Sequence, residues 1–280
     1  MNASIRQRTK AGSILVQLTT ALFVIAFLFP YIYLIMTSLK PSMEVISTTP
    51  TLLPSAFTLD SFRTMFDVLP VGKYIGNSFI TAISSTVVSV FLGSLAAYGL
   101  SRFSSRIGNL FLLLTLAVRM VPLISVAVPM YGIINRLGLY DTKTALILVY
   151  TSINIPFVIW MMIGFFDGLP KELDESARVD GCGKFGAFMR IILPISLPGL
   201  ATTAIFSYML SWNDFLMALM MSSTTAKTLP VGLSEFLGAY NLDLGPMTAA
   251  AVLFSLPVML FSVMIQRYIV SGMTMGAVKE

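Results

Sequence analysis

The chain of 280 residues contains no histidine and a single cysteine, Cys182. Without histidine, Ser-His-Asp and Cys-His catalysis, His-ligated haem and the usual zinc sites are excluded. One cysteine allows neither an internal disulfide nor an iron–sulfur cluster. No G-x-x-x-x-G-K-[ST] motif occurs, so the chain lacks a P-loop for binding ATP itself. It is not expected to be an enzyme or to hold a metal or cofactor. Energy for any work on a solute must then come from a gradient or from another polypeptide. Charge is scarce as well: 11% of residues are Asp, Glu, Lys or Arg, against about a quarter in soluble domains. The net charge of +5 is spread over short segments without a basic stripe, so a nucleic-acid partner is not implied.

What the chain has instead is oil, with 56% hydrophobic residues. Charge-free stretches occupy 11–39, 74–101, 120–135, 144–166, 191–213 and 244–266. A helix of ~20 residues crosses a hydrocarbon core, and helices satisfy their own backbone there. The reading is an all-α integral membrane protein, one domain of six spans at about 14–38, 74–100, 107–134, 144–166, 191–221 and 247–268. Residues 167–190 form a loop and 269–280 a tail. With an even number of spans, both termini share a side. Eleven Lys and Arg residues fall on that side against six on the other, which places the termini in the cytoplasm. "RQRTK" followed by an apolar run resembles a signal peptide, but the run is too long and no A-x-A site follows, so a retained anchor is expected.

Pro41 is expected to end the first span. The long external segment 39–73 is expected to carry a short amphipathic helix started by Thr58 or Asp60. Pro30, Pro122, Pro129, Pro156, Pro198 and Pro257 lie in or near spans, where each frees a backbone carbonyl. They mark either bendable helices for transport or ordinary packing irregularity.

Arg119 sits about 12 residues into the third span, near mid-membrane. A charge there costs ~2.5–3.5 kcal/mol, so Arg119 should face protein or water and find a partner. Asp214 is one candidate. Three readings stand: a structural ion pair, contact with a polar or anionic solute, and a gate. Guanidinium suits a sulfonate, phosphate or carboxylate, which it meets with two parallel hydrogen bonds. Trp212 and Asn213 are further candidates, since indoles stack on sugar faces and amides bond hydroxyls, although both also serve helix packing.

Between the fourth and fifth spans lies a charged island, "ELDESARVDGCGKFGAFMRIILP", residues 172–194. Pro170 suits a helix start. Acidic Glu172, Asp174 and Glu175 favour the first turn of a helix over 171–180, and Gly181 stands where that helix ends. A second helix carries Phe185, Phe188 and Met189 into the next span. The pair is either a solvated loop with an interfacial helix or a docking surface for a soluble partner.

Glu175-Ser176-Ala177, three residues, Gly181, nine residues, Ile191, one residue and Leu193-Pro194 together resemble the EAA loop of bacterial ABC importer permeases. The one departure is Ser176. "NSFITA…AAYGLSRF" at 77–103, "VPMYGIINRLGLYDT" at 128–142, "WNDFL" at 212–216 and the tail "VSGMTMGAVKE" are similar to the carbohydrate-uptake branch, in particular to the smaller six-span permease of maltose-type importers. The resemblance implies a type I importer permease in the inner membrane. It implies a second permease, two ATPase subunits holding ATP and Mg, an extracytoplasmic solute-binding protein and a sugar-like solute. By the same resemblance Glu175 faces the ATPase, Ala177 packs closely, Gly181 makes the turn beside Asp180, and Gly272 and Gly276 carry the tail toward the ATPase. The alternatives are a peptide or amino-acid ABC permease, a gradient-driven homodimeric transporter, and a scaffold without transport.

Overall fold

The computed structural model describes residues 2–47, 49–102, 106–238 and 244–277. Among these, every regular element is helical. Two compact units are distinguished, one from Met1–Leu69 with Glu235–Ser255 and one from Pro70–Ser234 with Leu256–Glu280.

The first unit opens with α1 (Asn2–Ser38), which ends just before Pro41. From Val16 onward its apolar side chains stand almost wholly exposed, as suits a helix whose solvent is lipid. The segment that follows folds on itself around α2 (Ser42–Val45). Lys40, 3% exposed, donates to the Thr51 carbonyl. The Glu44 carboxylate accepts from the Thr51 hydroxyl and from the Ser55 N–H at 2.9 Å and hydroxyl at 2.8 Å. α3 (Asp60–Val68) begins at Asp60, but Leu59 precedes it as cap and no side chain caps it. Its fully buried Met65 anchors the apolar face.

The second unit holds α4 (Val71–Arg102), α5 (Arg106–Met120), α6 (Leu123–Arg136), α7 (Lys143–Asp167), α8 (Glu172–Val179), α9 (Lys184–Ala187), a π-helical turn at Phe188–Ile192, α10 (Leu193–Ile195), α11 (Leu197–Trp212) and α12 (Leu216–Met221). α13 (Leu229–Gly238) and α14 (Leu244–Ala277) each contribute to both units. The core is α4 against α7 and α11. Small residues make this possible. Ser78, Thr81, Ser85, Ser89, Gly93 and Ala97 recur at helical spacing on the buried face of α4, so backbones approach closely without a hydrophobic drive between helices. At Gly93 an added Cβ would lie 2.6 Å from Val158 Cγ1. Polar links cross the same seam: Ser85 to Ser211 at 3.1 Å, Ser89 to Ser207 at 3.2 Å, and the Asn154 amide to the Ser211 hydroxyl at 2.8 Å. Toward the α8 end Tyr98, Val158, Met162, Phe166, Phe188 and Ile192 close an apolar cluster.

Among the described residues, four helices are long and apolar enough to cross a membrane singly, at Val16–Ser38, Val71–Arg102, Lys143–Asp167 and Leu244–Met264. The other two expected spans are not straight. That predicted at 107–134 breaks between α5 and α6 with a 100° bend. Pro122 caps α6 there, whereas Pro129, Pro156 and Pro257 sit inside unbroken helices. That predicted at 191–221 bends by 82° between α10 and α11 and opens again at residues 213–215 before α12.

Candidate functional site

Helix α8 starts two residues after Pro170, with Glu172, Asp174 and Glu175 in its first turn. Its end is a Schellman turn. Cys182 N–H donates to the Ala177 carbonyl at 2.9 Å and Gly181 N–H to the Arg178 carbonyl at 3.1 Å. Gly181 takes φ of +81°, a region that costs a side chain energy and glycine none. Two helices thus meet where the sequence placed the turn.

The faces of α8 are divided. Ala177 is fully buried, while Glu175, Ser176, Asp180 and Gly181 are exposed. Val179, 87% exposed, and Phe185, 58% exposed, place apolar surface among these charges. The Ser176 hydroxyl bonds back to the Glu172 carbonyl at 2.8 Å, so the departure from EAA is absorbed within the helix.

Contacts of Asp174 with α4 residues, which the sequence did not reveal, fix α8 in place. Arg102, at the end of α4, pairs through Nε with Asp174 Oδ2 at 2.8 Å, the two side chains being 5% and 17% exposed. The Tyr98 hydroxyl donates to Asp174 Oδ1. Arg102 also donates to the Leu169 carbonyl at 3.1 Å, and Ser101 to Asp167. Arg102, Lys171, Glu175, Arg178 and Lys184 line a cavity of about 150 Å³ beside this link. The only hint in sequence was that "AAYGLSRF" and the island belong to the same family pattern.

The solute-pathway candidates separate. Arg119 and Asp214 line one cavity of about 350 Å³, with Tyr150, Asn154 and Ser211. No ion pair joins them. The Arg119 guanidinium lies instead over the Phe157 ring at 5.0 Å, a cation–π contact. Asp214 Oδ1 accepts from Ala218 N–H at 3.1 Å and so caps α12. The Tyr150 side chain, 2% exposed, stands beside the carboxylate without a well-formed hydrogen bond. Asn213 is exposed and spends its amide on the Met209 carbonyl at 2.9 Å. Trp212, 1% exposed, packs among Phe79 and Tyr208, which is the packing role left open for it. Gly272 and Gly276 continue α14 as helix to Ala277; residues 278–280 lie outside the described residues.

At the opposite end of the second unit from α8, Asp141 knots two loops. It holds φ of +59°, and its carboxylate accepts from the N–H groups of Ser223, Thr225 and Ala226 at 2.9, 2.9 and 3.0 Å. Burial pushes this carboxyl up, but the Thr225 hydroxyl and those N–H groups outweigh it and hold the group well below the usual carboxylate range. Asn77 ties the same loop to α4 through the carbonyls of Thr225 and Lys227, each at 2.9 Å.

Residues 89–275 match the family described as binding-protein-dependent transport system inner membrane component. The chain is similar to the inner membrane ABC transporter permease protein YcjP of Escherichia coli, 38% identical over 92% of this chain and 94% of that one. The sulfoquinovosyl glycerol transport system permease SmoH of Agrobacterium fabrum is 36% identical over 90% and 89% of the two chains. The trehalose transport system permease SugB of Mycobacterium tuberculosis is 34% identical over 90% and 92%. In fold it matches a chain from the crystal structure of a bacterial ABC transporter involved in the import of the acidic polysaccharide alginate, with a TM-score of 0.77 and 21% identity over 96% and 98%. This chain belongs to the binding-protein-dependent transport system inner membrane components, as a multi-pass permease subunit of an ABC importer and not an enzyme.

Proposed function

We propose that the chain forms half of the transmembrane pathway for a sugar, a glycoside or a related polar solute, and carries the mechanical link to the ATPase. It acts as one transmembrane permease domain, with its coupling loop at 167–190 and its tail at 269–280. Its partners are a second permease, two ATPase subunits that hold ATP and Mg, and an extracytoplasmic solute-binding protein; it binds no cofactor of its own. Both termini and α8 lie in the cytoplasm. The sugar class is supported by the similarity to permeases named for sulfoquinovosyl glycerol and trehalose transport.

The observation that carries the coupling role is the form of α8. A helix of eight residues stands on a Schellman turn, buries Ala177 against its own chain and leaves Glu175, Val179 and Asp180 outward. A surface loop without a partner has no need of such rigidity. Pinning to α4 through Asp174 and Arg102 gives any push on α8 a route into a membrane-crossing helix. Gly181→Pro removes the N–H that closes the turn, and Glu175→Arg reverses charge on the outward face. Each is expected to leave the chain inserted but to lower solute-stimulated ATP hydrolysis severalfold in proteoliposomes. Unchanged stimulation in both would remove the docking account. A chain that co-purifies with neither an ATPase nor a second permease would favour a gradient-driven transporter.

A further inference from the structure

Two helix breaks face one cavity. The first, between α5 and α6, puts Arg119 one residue from the end of α5 and lines the cavity with Val121 and Leu123. The second, between α11 and α12, puts Asp214 in the lining of the same cavity. Irregular backbone at membrane depth is tolerated only where protein or a polar cavity receives its freed groups, and broken helices in transporters recur at binding sites. α5 rises ~20 Å from Arg106 to Arg119, so the first break falls well inside the hydrocarbon layer.

The charges in this cavity are not mutually spent. Arg119 has an aromatic ring for company and no carboxylate within ion-pair distance among the described residues. One oxygen of Asp214 is committed to the α12 backbone, and the Tyr150 hydroxyl stands beside the carboxylate. Asn154 is held in place by Ser207 and Ser211. A neutral sugar would use the acceptors and leave the guanidinium without its complement. An acid group would supply it, through the bidentate match that guanidinium makes with carboxylate or sulfonate. At about 350 Å³ the space lies in the range of small-ligand pockets.

The geometry points to a subsite for an anionic saccharide, in which Arg119 receives the carboxylate or sulfonate and Asp214 and Tyr150 meet hydroxyl groups. This rests on the sugar reading above and narrows it. Phe157 holds the guanidinium through the cation–π contact.

The test uses the assembled permease and ATPase complex in lipid nanodiscs without the binding protein. The probes are a glucuronate-containing disaccharide and its carboxyl-reduced neutral counterpart, with affinity read by saturation-transfer NMR titration. Wild type is expected to bind the acid at least tenfold more tightly than the neutral form. Arg119→Met is expected to abolish that preference while neutral binding persists. Arg119→Lys, with a point charge in place of the fork, is expected to keep a reduced preference and decides the matter if the methionine variant does not assemble. Equal binding of the two probes by wild type, or a preference that survives Arg119→Met or is undiminished in Arg119→Lys, overturns the subsite and leaves the sugar reading intact. Binding of neither saccharide overturns both.

Discussion

Gly93 faces Val158 so closely that any side chain must displace it, the built Cβ lying 2.7 Å from Val158 Cβ and 2.6 Å from its Cγ1. Overpacking of this kind costs about 1–3 kcal/mol. Gly93→Ala is therefore expected to lower the thermal midpoint of the purified chain. In combination with Val158→Ala the loss should be smaller than the sum of the two single losses, because the second change vacates the space that the first requires. Strict additivity would mean that the two residues do not meet. Asn154 is the polar counterpart: truncation to Ala removes its bonds to Ser211 and Ser207, at roughly 0.6–1.7 kcal/mol for an interhelical hydrogen bond in a membrane. Glu44 sets a pH window for the first unit. The Thr51 hydroxyl, then the Ser55 N–H and hydroxyl, hold its carboxyl down from 4.5 to about 2. A group whose folded value is lowered stabilises fully above its unfolded value and loses that contribution as pH falls through the folded one. Protection of the 51–55 amides, measured by hydrogen exchange, should hold from neutral pH to about 4.5 and decline as pH falls toward 2. Glu44→Gln should show the weakened protection already at neutral pH.

The elements were legible wherever local chemistry decides them. Proline after Ser38 ends α1, and Gly181 ends α8 because only glycine takes φ of +81° without cost. The breaks were not legible. Pro122 opens a 100° bend while Pro129 and Pro156 are carried within helices. The same ring gives both outcomes, since what matters is whether a neighbouring helix or a cavity receives the freed carbonyls. The tether on α8 was hidden for another reason: Tyr98 and Asp174 stand 76 positions apart, and no period in the sequence relates them. Its role is testable. Asp174→Ala leaves Arg102 buried without its carboxylate, a change worth about 3 kcal/mol or more. It should raise hydrogen exchange throughout α8 and lower solute-stimulated ATP hydrolysis, with basal hydrolysis retained. Replacing both partners, as Arg102→Met with Asp174→Leu, should restore much of the thermal stability but not the stimulation. Restored stimulation would reduce the pair to a packing feature.

For the whole molecule, the sequence spoke most clearly about lipid, because the absence of charge over a helix length has few other causes. It spoke least about the cavity holding Arg119 and Asp214. Arg119 lies near the end of α5 and Asp214 in the break between α11 and α12, and neither the bend that exposes one nor the backbone that engages the other follows from composition. Orientation came from the Lys and Arg bias alone, and the coupling account depends on it. Cys182 allows a direct check. It is the single thiol of the chain, lies partly exposed in the turn between α8 and α9, and needs no engineering. A membrane-impermeant maleimide is expected to label it in inside-out vesicles and not in right-side-out ones. Adding the ATPase subunits to stripped inside-out vesicles should slow the labelling, since the turn would then lie beneath the docked partner. Labelling from the outer face would turn the chain over, place α8 where no ATPase can reach it, and remove the basis for coupling at one stroke.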